Sequence, residues 1–232
     1  MKVIFNTLRR GMVVLGVLLC ASAARADRRD LLWSYGWHTP AAGEWELETH
    51  YQHEPSTNQH HVELELEHGV TDRWAMSGYL LAEGERGKRF GYGGFRLENR
   101  YRFCSYARRR LLHAAYLELE KEDDEKFALE AKWLMALYTK QQDTFAVNWI
   151  VEQPLSARGV TTFGYTAGWS RQVASWRLGV ESVGNFRDGT YGVGPTVLKD
   201  FTQVDRVGVN ALFRVVHRGE GLVLNAVYEH EF

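Results

Sequence analysis

The sequence has few cysteines, no excess of basic residues and no apolar run long enough for a membrane-spanning helix. Its 28 Lys and Arg residues are balanced by 29 Asp and Glu residues, which argues against a nucleic-acid-binding protein because such proteins carry a basic patch. The apolar run at 11–20 is about half of the ~20 residues that a spanning helix needs. Beyond residue 26 the only cysteine is Cys104, so no intrachain disulfide can form there.

The amino terminus has the layout of a secretory signal peptide. Lys2, Arg9 and Arg10 give a positive start, the apolar run follows, and Ala24-Arg25-Ala26 forms an A-x-A cleavage motif. We therefore expect residues 1–26 to be removed after export. An uncleaved anchor is the alternative, although the apolar run is short for one. Cleavage lowers the basic residues from 28 to 24 against 29 acidic ones, so the mature chain carries a charge near −5.

The rest of the chain lacks helical periodicity and alternates apolar with polar residues. In 61–67, His-Val-Glu-Leu-Glu-Leu-Glu, the apolar residues fall on one face and the glutamates on the other, as in a strand with two different faces. Turn signals separate such runs. The pattern predicts an all-β fold, a closed antiparallel transmembrane β-barrel of about twelve strands over 43–232, with ten or fourteen as alternatives. The predicted strands are 43–52, 60–68, 73–83, 90–103, 112–121, 125–138, 144–153, 160–170, 175–185, 191–199, 206–217 and 222–232.

The length and ends of these strands favour a membrane barrel over a soluble one. Strands of about ten residues can cross a bilayer at a tilt, whereas soluble strands usually have about five or six. The chain ends on Phe232 within an alternating strand that also carries Tyr228. This strand resembles the carboxy-terminal assembly signal of bacterial outer-membrane barrels, and the resemblance implies that these two residues belong to such a signal. Aromatic residues near strand ends are typical of the girdles at a lipid–water boundary, although an ordinary aromatic core is the alternative. They are Trp45, Tyr51, Trp74, Tyr101, Phe103, Trp133, Trp149, Trp169 and Trp176.

An even number of strands places both chain ends in the periplasm of a Gram-negative bacterium. The loops after odd-numbered strands then face outward and are short. Residues 27–42 precede the first strand, and their aromatic content, including Trp33 and Trp37, suits either a periplasmic segment or a plug inside the barrel. The predicted outer loops are 53–59, 84–89, 122–124, 154–159, 186–190 and 218–221.

The polar faces of the strands predict a charged lumen. Two interpretations remain open: ion pairs that brace the wall, or a charged path for a small solute, since twelve strands lie between packed eight-stranded barrels and open porins. The candidate lumen residues are Glu46, Glu48, Glu63, Glu65, Glu67, Arg96, Glu98, Arg100, Arg102, Glu118, Glu120, Glu130, Lys132, Glu152, Arg177, Glu181, Arg214 and Glu229.

Metal and enzyme chemistry have weak support in the sequence. His50 and His61 could share the lumen with glutamates and bind Zn²⁺ or Cu²⁺, but no tight ligand spacing is present, so we expect no cofactor. An outer-membrane lipid hydrolase would need a serine beside a histidine, and no motif provides one, although such residues can also meet only in space. We therefore expect no catalytic residues. The serines available for such a role are Ser77, Ser170, Ser175 and Ser182.

One stretch resembles a known group of proteins. Residues 63–74, with the turn Gly69-Val70-Thr71-Asp72-Arg73, together with the first strand at 43–48 and the terminal Phe232, resemble uncharacterised outer-membrane barrels grouped with the meta-pathway phenol-degradation transporters. The resemblance implies a transporter or channel for small aromatic or hydrophobic solutes and identifies no binding residues. The expected partners are outer-membrane lipids, the barrel-assembly machinery and an unknown small solute.

Overall fold

The chain folds into one closed barrel of twelve antiparallel strands, each bonded to its sequence neighbours and β1 to β12. The structure is a computed structural model that describes residues 29–85, 89–104, 111–122, 127–156, 158–216 and 219–232. The expected signal peptide at 1–26 lies outside the described residues. The strands are β1 Trp45–Glu54, β2 Gln59–Thr71, β3 Trp74–Glu85, β4 Gly91–Arg102, β5 Leu111–Glu122, β6 Ala128–Tyr138, β7 Asp143–Pro154, β8 Thr162–Val173, β9 Trp176–Asn185, β10 Thr190–Asp200, β11 Asp205–Val216 and β12 Gly219–Glu231.

The predicted all-β barrel of twelve strands is confirmed, with strand boundaries that shift by up to three residues. The largest differences include the end of β2, which was expected at residue 68 and lies at Thr71. Gly69 and Val70 were expected to belong to a turn, but the ladder with β3 continues through a register shift between Gly69 and Thr71. A bulge absorbs the extra residue there, so the turn shrinks to residues 72–73.

The strands define two ends of the barrel. The terminal end carries the start of β1, the end of β12 and, among the described residues, those at 72–73, 103–104, 139–142, 174–175 and 201–204. The loop end carries the described residues that follow odd-numbered strands, at 55–58, 89–90, 127, 155–156, 158–161 and 186–189. No helix long and apolar enough to cross a membrane occurs in the described part of the chain.

The outer surface of the barrel is apolar because alternate residues of each strand point away from the lumen. Leu64, Leu80, Leu97 and Leu117 are each more than 40% exposed. All nine aromatic residues expected near strand ends are exposed on this surface, so the alternative of an aromatic core is wrong. An apolar outer face with aromatic residues near its edges suits lipid contact.

Candidate functional site in the barrel lumen

The lumen segment, which we define as residues 29–42, runs inside the barrel as far as Pro40 and is exposed at Ala41 and Ala42, near the terminal end. Arg29 donates from Nε to Glu48 Oε1 at 2.6 Å and from Nη2 to Glu65 Oε2 at 3.0 Å. The next residue, Asp30, pairs with Arg177 Nε at 2.9 Å. These ion pairs tie the start of the segment to opposite sides of the wall, since they involve β1, β2 and β9.

Glu181 on β9 holds the middle of the lumen segment through three consecutive backbone amides. The N–H of Leu32 donates to Oε1 at 2.8 Å, and those of Trp33 and Ser34 donate to Oε2 at 2.8 and 2.9 Å. Thr196 Oγ1 donates to Oε1 at 2.6 Å. Glu181 is 1% exposed, and successive backbone N–H groups form a concave site for an anion. Its carboxylate therefore fixes the backbone path of the segment.

Two asparagines of the wall bind the segment beside Glu181. Asn148 accepts from the Tyr35 N–H at 2.7 Å and donates from Nδ2 to the Tyr35 carbonyl at 2.9 Å, as a neighbouring strand would. Asn210 accepts from the Trp33 indole Nε1 at 3.2 Å. Because backbone groups of the segment have no strand partner, these side chains satisfy polar groups that would otherwise be buried without hydrogen bonds.

The wall is shaped to accept the apolar side chains of the segment. A Cβ at Gly168 would lie 2.7 Å from a methyl carbon of Leu31, and a Cβ at Gly208 would lie 2.9 Å from one of Leu32. Only glycine permits this close approach without displacement. Further along, Trp37 is 5% exposed and belongs to a cluster with wall residues Leu112, Ala114, Tyr116, Leu134 and Ala136.

Burial also sets the charge of one residue of the segment. The pKa of His38 is lowered from 6.5 to about 3, first by burial and then by the charges of Arg102, Arg177 and Arg100. A neutral imidazole is therefore the stable form of His38 while the segment is inside the barrel.

Ion pairs brace the wall on one side of the lumen. Arg96 on β4 pairs with Glu63 on β2 at 3.1 Å and with Glu120 on β5 at 2.7 Å. Arg100 on β4 pairs with Glu67 on β2. The contacts between β2 and β4 cross β3, where the inward residue next to Arg100 is the small Ala75.

The structure places all the candidate lumen residues on the inward-facing positions of their strands. The buried ones are Glu46, Glu48, Glu65, Glu67, Glu98, Arg100, Glu118, Glu181 and Glu229. The half-buried ones are Glu63, Arg96, Arg102, Glu120, Glu130, Lys132, Glu152, Arg177 and Arg214. Sequence reasoning missed Asn148, Asn210, Gly168 and Gly208, whose role depends on the segment that they contact.

The two candidate metal-ligating histidines are not brought together. His50 Nε2 lies 2.6 Å from Glu48 Oε2 and 4.0 Å from Glu65 Oε2, and these three residues could share an ion. The guanidinium of Arg29 already contacts both glutamates. His61 instead lies 3.3 Å from Glu83.

A cavity of about 570 Å³ occupies the lumen between the lumen segment and the loop end. On the side of the terminal end, the cavity is lined by four residues of the segment, Arg29, Leu32, Trp33 and Tyr35. At the loop end, it is lined by residues such as Asp188. We call this space the vestibule. On the other side of the segment a cavity of about 10 Å³ is present, which is roughly the space of one water molecule.

The four serines considered for hydrolase chemistry do not contact a histidine in the described part of the chain. Ser170 accepts from Arg177 at 3.1 Å, Ser182 contacts the Tyr165 hydroxyl at 3.2 Å, and Ser175 accepts from Lys199. Ser77 is buried without a hydrogen-bond partner among the described residues.

The terminal aromatic residues, Tyr228 and Phe232, are 42% and 37% exposed on the outer surface. Phe232 donates its backbone N–H to the Trp45 carbonyl at 2.9 Å, next to the β1–β12 seam.

Comparison with known proteins relates this barrel to solved porins and channels. The KdgM porin aligns with a TM-score of 0.64 and 8% identity over 81% of this chain and 99% of that chain. A complex of the KdgM porin with disordered oligogalacturonate aligns with 0.62 and 9% over the same shares. The COG4313 outer membrane channel from Pseudomonas putida F1 aligns with 0.63 and 12% over 84% of this chain and 98% of that chain.

No protein-family model and no curated protein sequence matches the chain. At these low identities the structural likeness concerns the fold. The chain therefore has the closed twelve-strand barrel fold of outer-membrane porins and channels.

Proposed function

We propose that this protein is an outer-membrane channel for small solutes whose lumen segment closes the barrel at the terminal end. The observation that carries the proposal is the vestibule of about 570 Å³, which the lumen segment lines on the side of the terminal end. An apolar outer face supports insertion in a bilayer, and the charged lumen supports passage of polar solutes. The fold shared with the KdgM porin and the COG4313 channel supports the same location and activity.

The vestibule favours small solutes over polymers. Its volume falls in the range of about 300–1,000 Å³ typical of small-molecule sites. Trp33, Tyr35, Tyr79 and Tyr116 place aromatic groups in its lining, which agrees with the sequence resemblance to phenol-degradation transporters. We therefore propose small aromatic compounds as the first solutes to test.

We assign no enzyme chemistry to this barrel. The support is that the hydrogen bonds of Ser170, Ser175 and Ser182 go to Arg177, Lys199 and Tyr165, none of which is a histidine. A barrel that binds a ligand without an open path is the second candidate, and the closed position of the lumen segment favours it. Release of fatty acid from vesicles of defined phospholipid would instead support a hydrolase.

Swelling of liposomes that contain the purified protein tests solute passage. We expect slow entry of the benzoate anion through the wild type and faster entry through a variant that lacks residues 30–38. The matched control replaces the same residues with a Gly-Ser linker, which keeps the chain length but removes the anchoring side chains, and we expect it to behave like the deletion. Equal and negligible swelling for all three proteins, with folded barrels verified by heat-modifiable gel mobility, would contradict a channel and favour the binding role.

A further inference from the structure

Within the described part of the chain, each basic side chain that lines the vestibule is paired with at least one glutamate. Arg96 on β4 pairs with Glu120 at 2.7 Å and with Glu63 at 3.1 Å. Its guanidinium also lies 3.9 Å from Glu118. The other three basic residues of the lining are Arg29, which pairs with Glu48 and Glu65, Lys132, which pairs with Glu130, and Arg214, which pairs with Glu54.

The charges of the vestibule and of its ion-pair partners do not balance. The four basic residues meet seven glutamates, and Asp188 is a further acidic residue of the lining. With histidine counted as neutral, these described residues carry a formal excess of four negative charges. A cleft lined by one sign of charge concentrates ions of the opposite sign by about ten-fold or more. The vestibule should therefore attract cations and repel anions.

The excess of negative charge grows when the lumen segment leaves the barrel. Arg29 belongs to the segment and takes its positive charge away from Glu48 and Glu65. These two glutamates remain on β1 and β2. The sign of the charge is therefore the same with the segment docked and with the segment released.

One ammonium group of the chain itself is held in the vestibule by a carboxylate and two aromatic rings. Lys132 Nζ lies 2.8 Å from a carboxylate oxygen of Glu130. It also lies 4.1 Å from the ring centroid of Tyr116 and 4.8 Å from that of Tyr35. The faces of aromatic rings attract ammonium groups. Carboxylates and aromatic rings also line the rest of the vestibule, so the same chemistry is present for the ammonium group of a solute.

The two sides of the vestibule differ in polarity. Glu63 on β2 and Glu120 on β5 reach the vestibule with side chains that are 27% and 19% exposed. Across the lumen, the lining from β7, β8 and β9 includes the uncharged residues Ile150, Thr166 and Val183. A solute with an ammonium group and an apolar body can therefore contact carboxylates on one side and uncharged groups on the other.

We propose that the vestibule selects small cations over anions, and that aromatic ammonium compounds are its preferred solutes. Glu63 and Glu120 bind the ammonium group, and the uncharged side accommodates the ring. This inference rests on the proposed function and specifies the class of solute.

The reversal potential of the mature protein in planar bilayers, under a gradient of KCl, measures the selectivity. We expect a potassium permeability about ten-fold above that of chloride. The double variant E63Q/E120Q should roughly halve this ratio, because it removes two of the four excess charges. The control D72N removes a carboxylate from an exposed turn at the terminal end and should keep the wild-type ratio. Heat-modifiable gel mobility verifies that each variant is folded.

Benzylammonium and benzoate extend the measurement to aromatic solutes, since they are similar in size and opposite in charge. With benzylammonium in place of potassium, or benzoate in place of chloride, we expect benzylammonium to carry more current than benzoate does. E63Q/E120Q should reduce the benzylammonium current more than D72N does.

Equal permeability for potassium and chloride, a preference for chloride, or an unchanged ratio in E63Q/E120Q would overturn the inference. So would a benzoate current as large as the benzylammonium current. If neither the wild type nor the variant without residues 30–38 conducts, the proposed function fails. Isothermal titration of the same two compounds into the folded barrel then decides the inference separately: tighter binding of benzylammonium supports it, and equal or tighter binding of benzoate overturns it.

Discussion

Replacing Glu181 with alanine should release the lumen segment. In the wild type its carboxylate accepts from the backbone N–H groups of Leu32, Trp33 and Ser34 at 2.8–2.9 Å. In Glu181→Ala these three amides stay buried without their acceptor while the segment is inside the barrel. When the segment leaves, water satisfies them. The substitution therefore weakens the docked state and leaves the released state nearly unchanged.

The size of the effect follows from the three lost acceptors. A buried donor left unsatisfied costs about 1–3 kcal/mol. We take the low end, about 1 kcal/mol for each amide, because water from the adjoining vestibule can enter the space of the lost side chain. The total of about 3 kcal/mol shifts the equilibrium between docked and released segment by roughly 150-fold, since 1.36 kcal/mol corresponds to a factor of ten.

Hydrogen exchange of the backbone amides measures this shift directly. We expect the amides of residues 32–34 to exchange roughly 150-fold faster in Glu181→Ala than in the wild type. The matched control is Glu120→Ala, which removes a lumen carboxylate bound to Arg96 and should leave these amides protected. If exchange at 32–34 is unchanged in Glu181→Ala, Glu181 does not hold the segment and the reasoning is refuted.

Three further predictions concern other parts of the barrel. The pKa of His38 is about 3 in the docked segment and about 6.5 in the released segment, so the released state binds more protons between these pH values. Lowering the pH from 7 to 5 should therefore favour release by about 2 kcal/mol. Channel recordings should show more frequent opening at pH 5, and His38→Gln should reduce this increase. Leu97 is 51% exposed on the outer surface, so Leu97→Arg should lower the unfolding free energy in lipid vesicles by about 2–4 kcal/mol, whereas Leu97→Met should change it little. Phe232→Ala should reduce the amount of heat-modifiable barrel in outer membranes more than Tyr228→Ala does, if these residues form the assembly signal.

The strand pattern could be predicted because each strand has two chemically different faces. Along β2, Glu63, Glu65 and Glu67 alternate with Leu64 and Leu66. The two-residue alternation of a strand, and the face of that strand that points into the lumen, therefore follow from the sequence alone. The end of β2 could not be placed correctly. Gly69 and Thr71 have the composition of a turn, yet hydrogen bonds to β3 extend past them through a bulge.

The position of the lumen segment could not be predicted. Its main contact with Glu181 uses backbone amides, which every non-proline residue has and which carry no sequence signal. The role of Gly168 and Gly208 could not be predicted either, because these positions require glycine only where Leu31 and Leu32 of the segment approach the wall.

Single-channel recording in planar bilayers tests most directly whether the lumen segment closes an otherwise open barrel. We predict rare, brief openings for the mature wild-type protein and long-lived openings of higher conductance for the variant without residues 30–38. Glu181→Ala should fall between them. If the wild type and the deletion variant conduct equally, or if both stay silent although folded, the lumen segment is not the barrier and the account is contradicted.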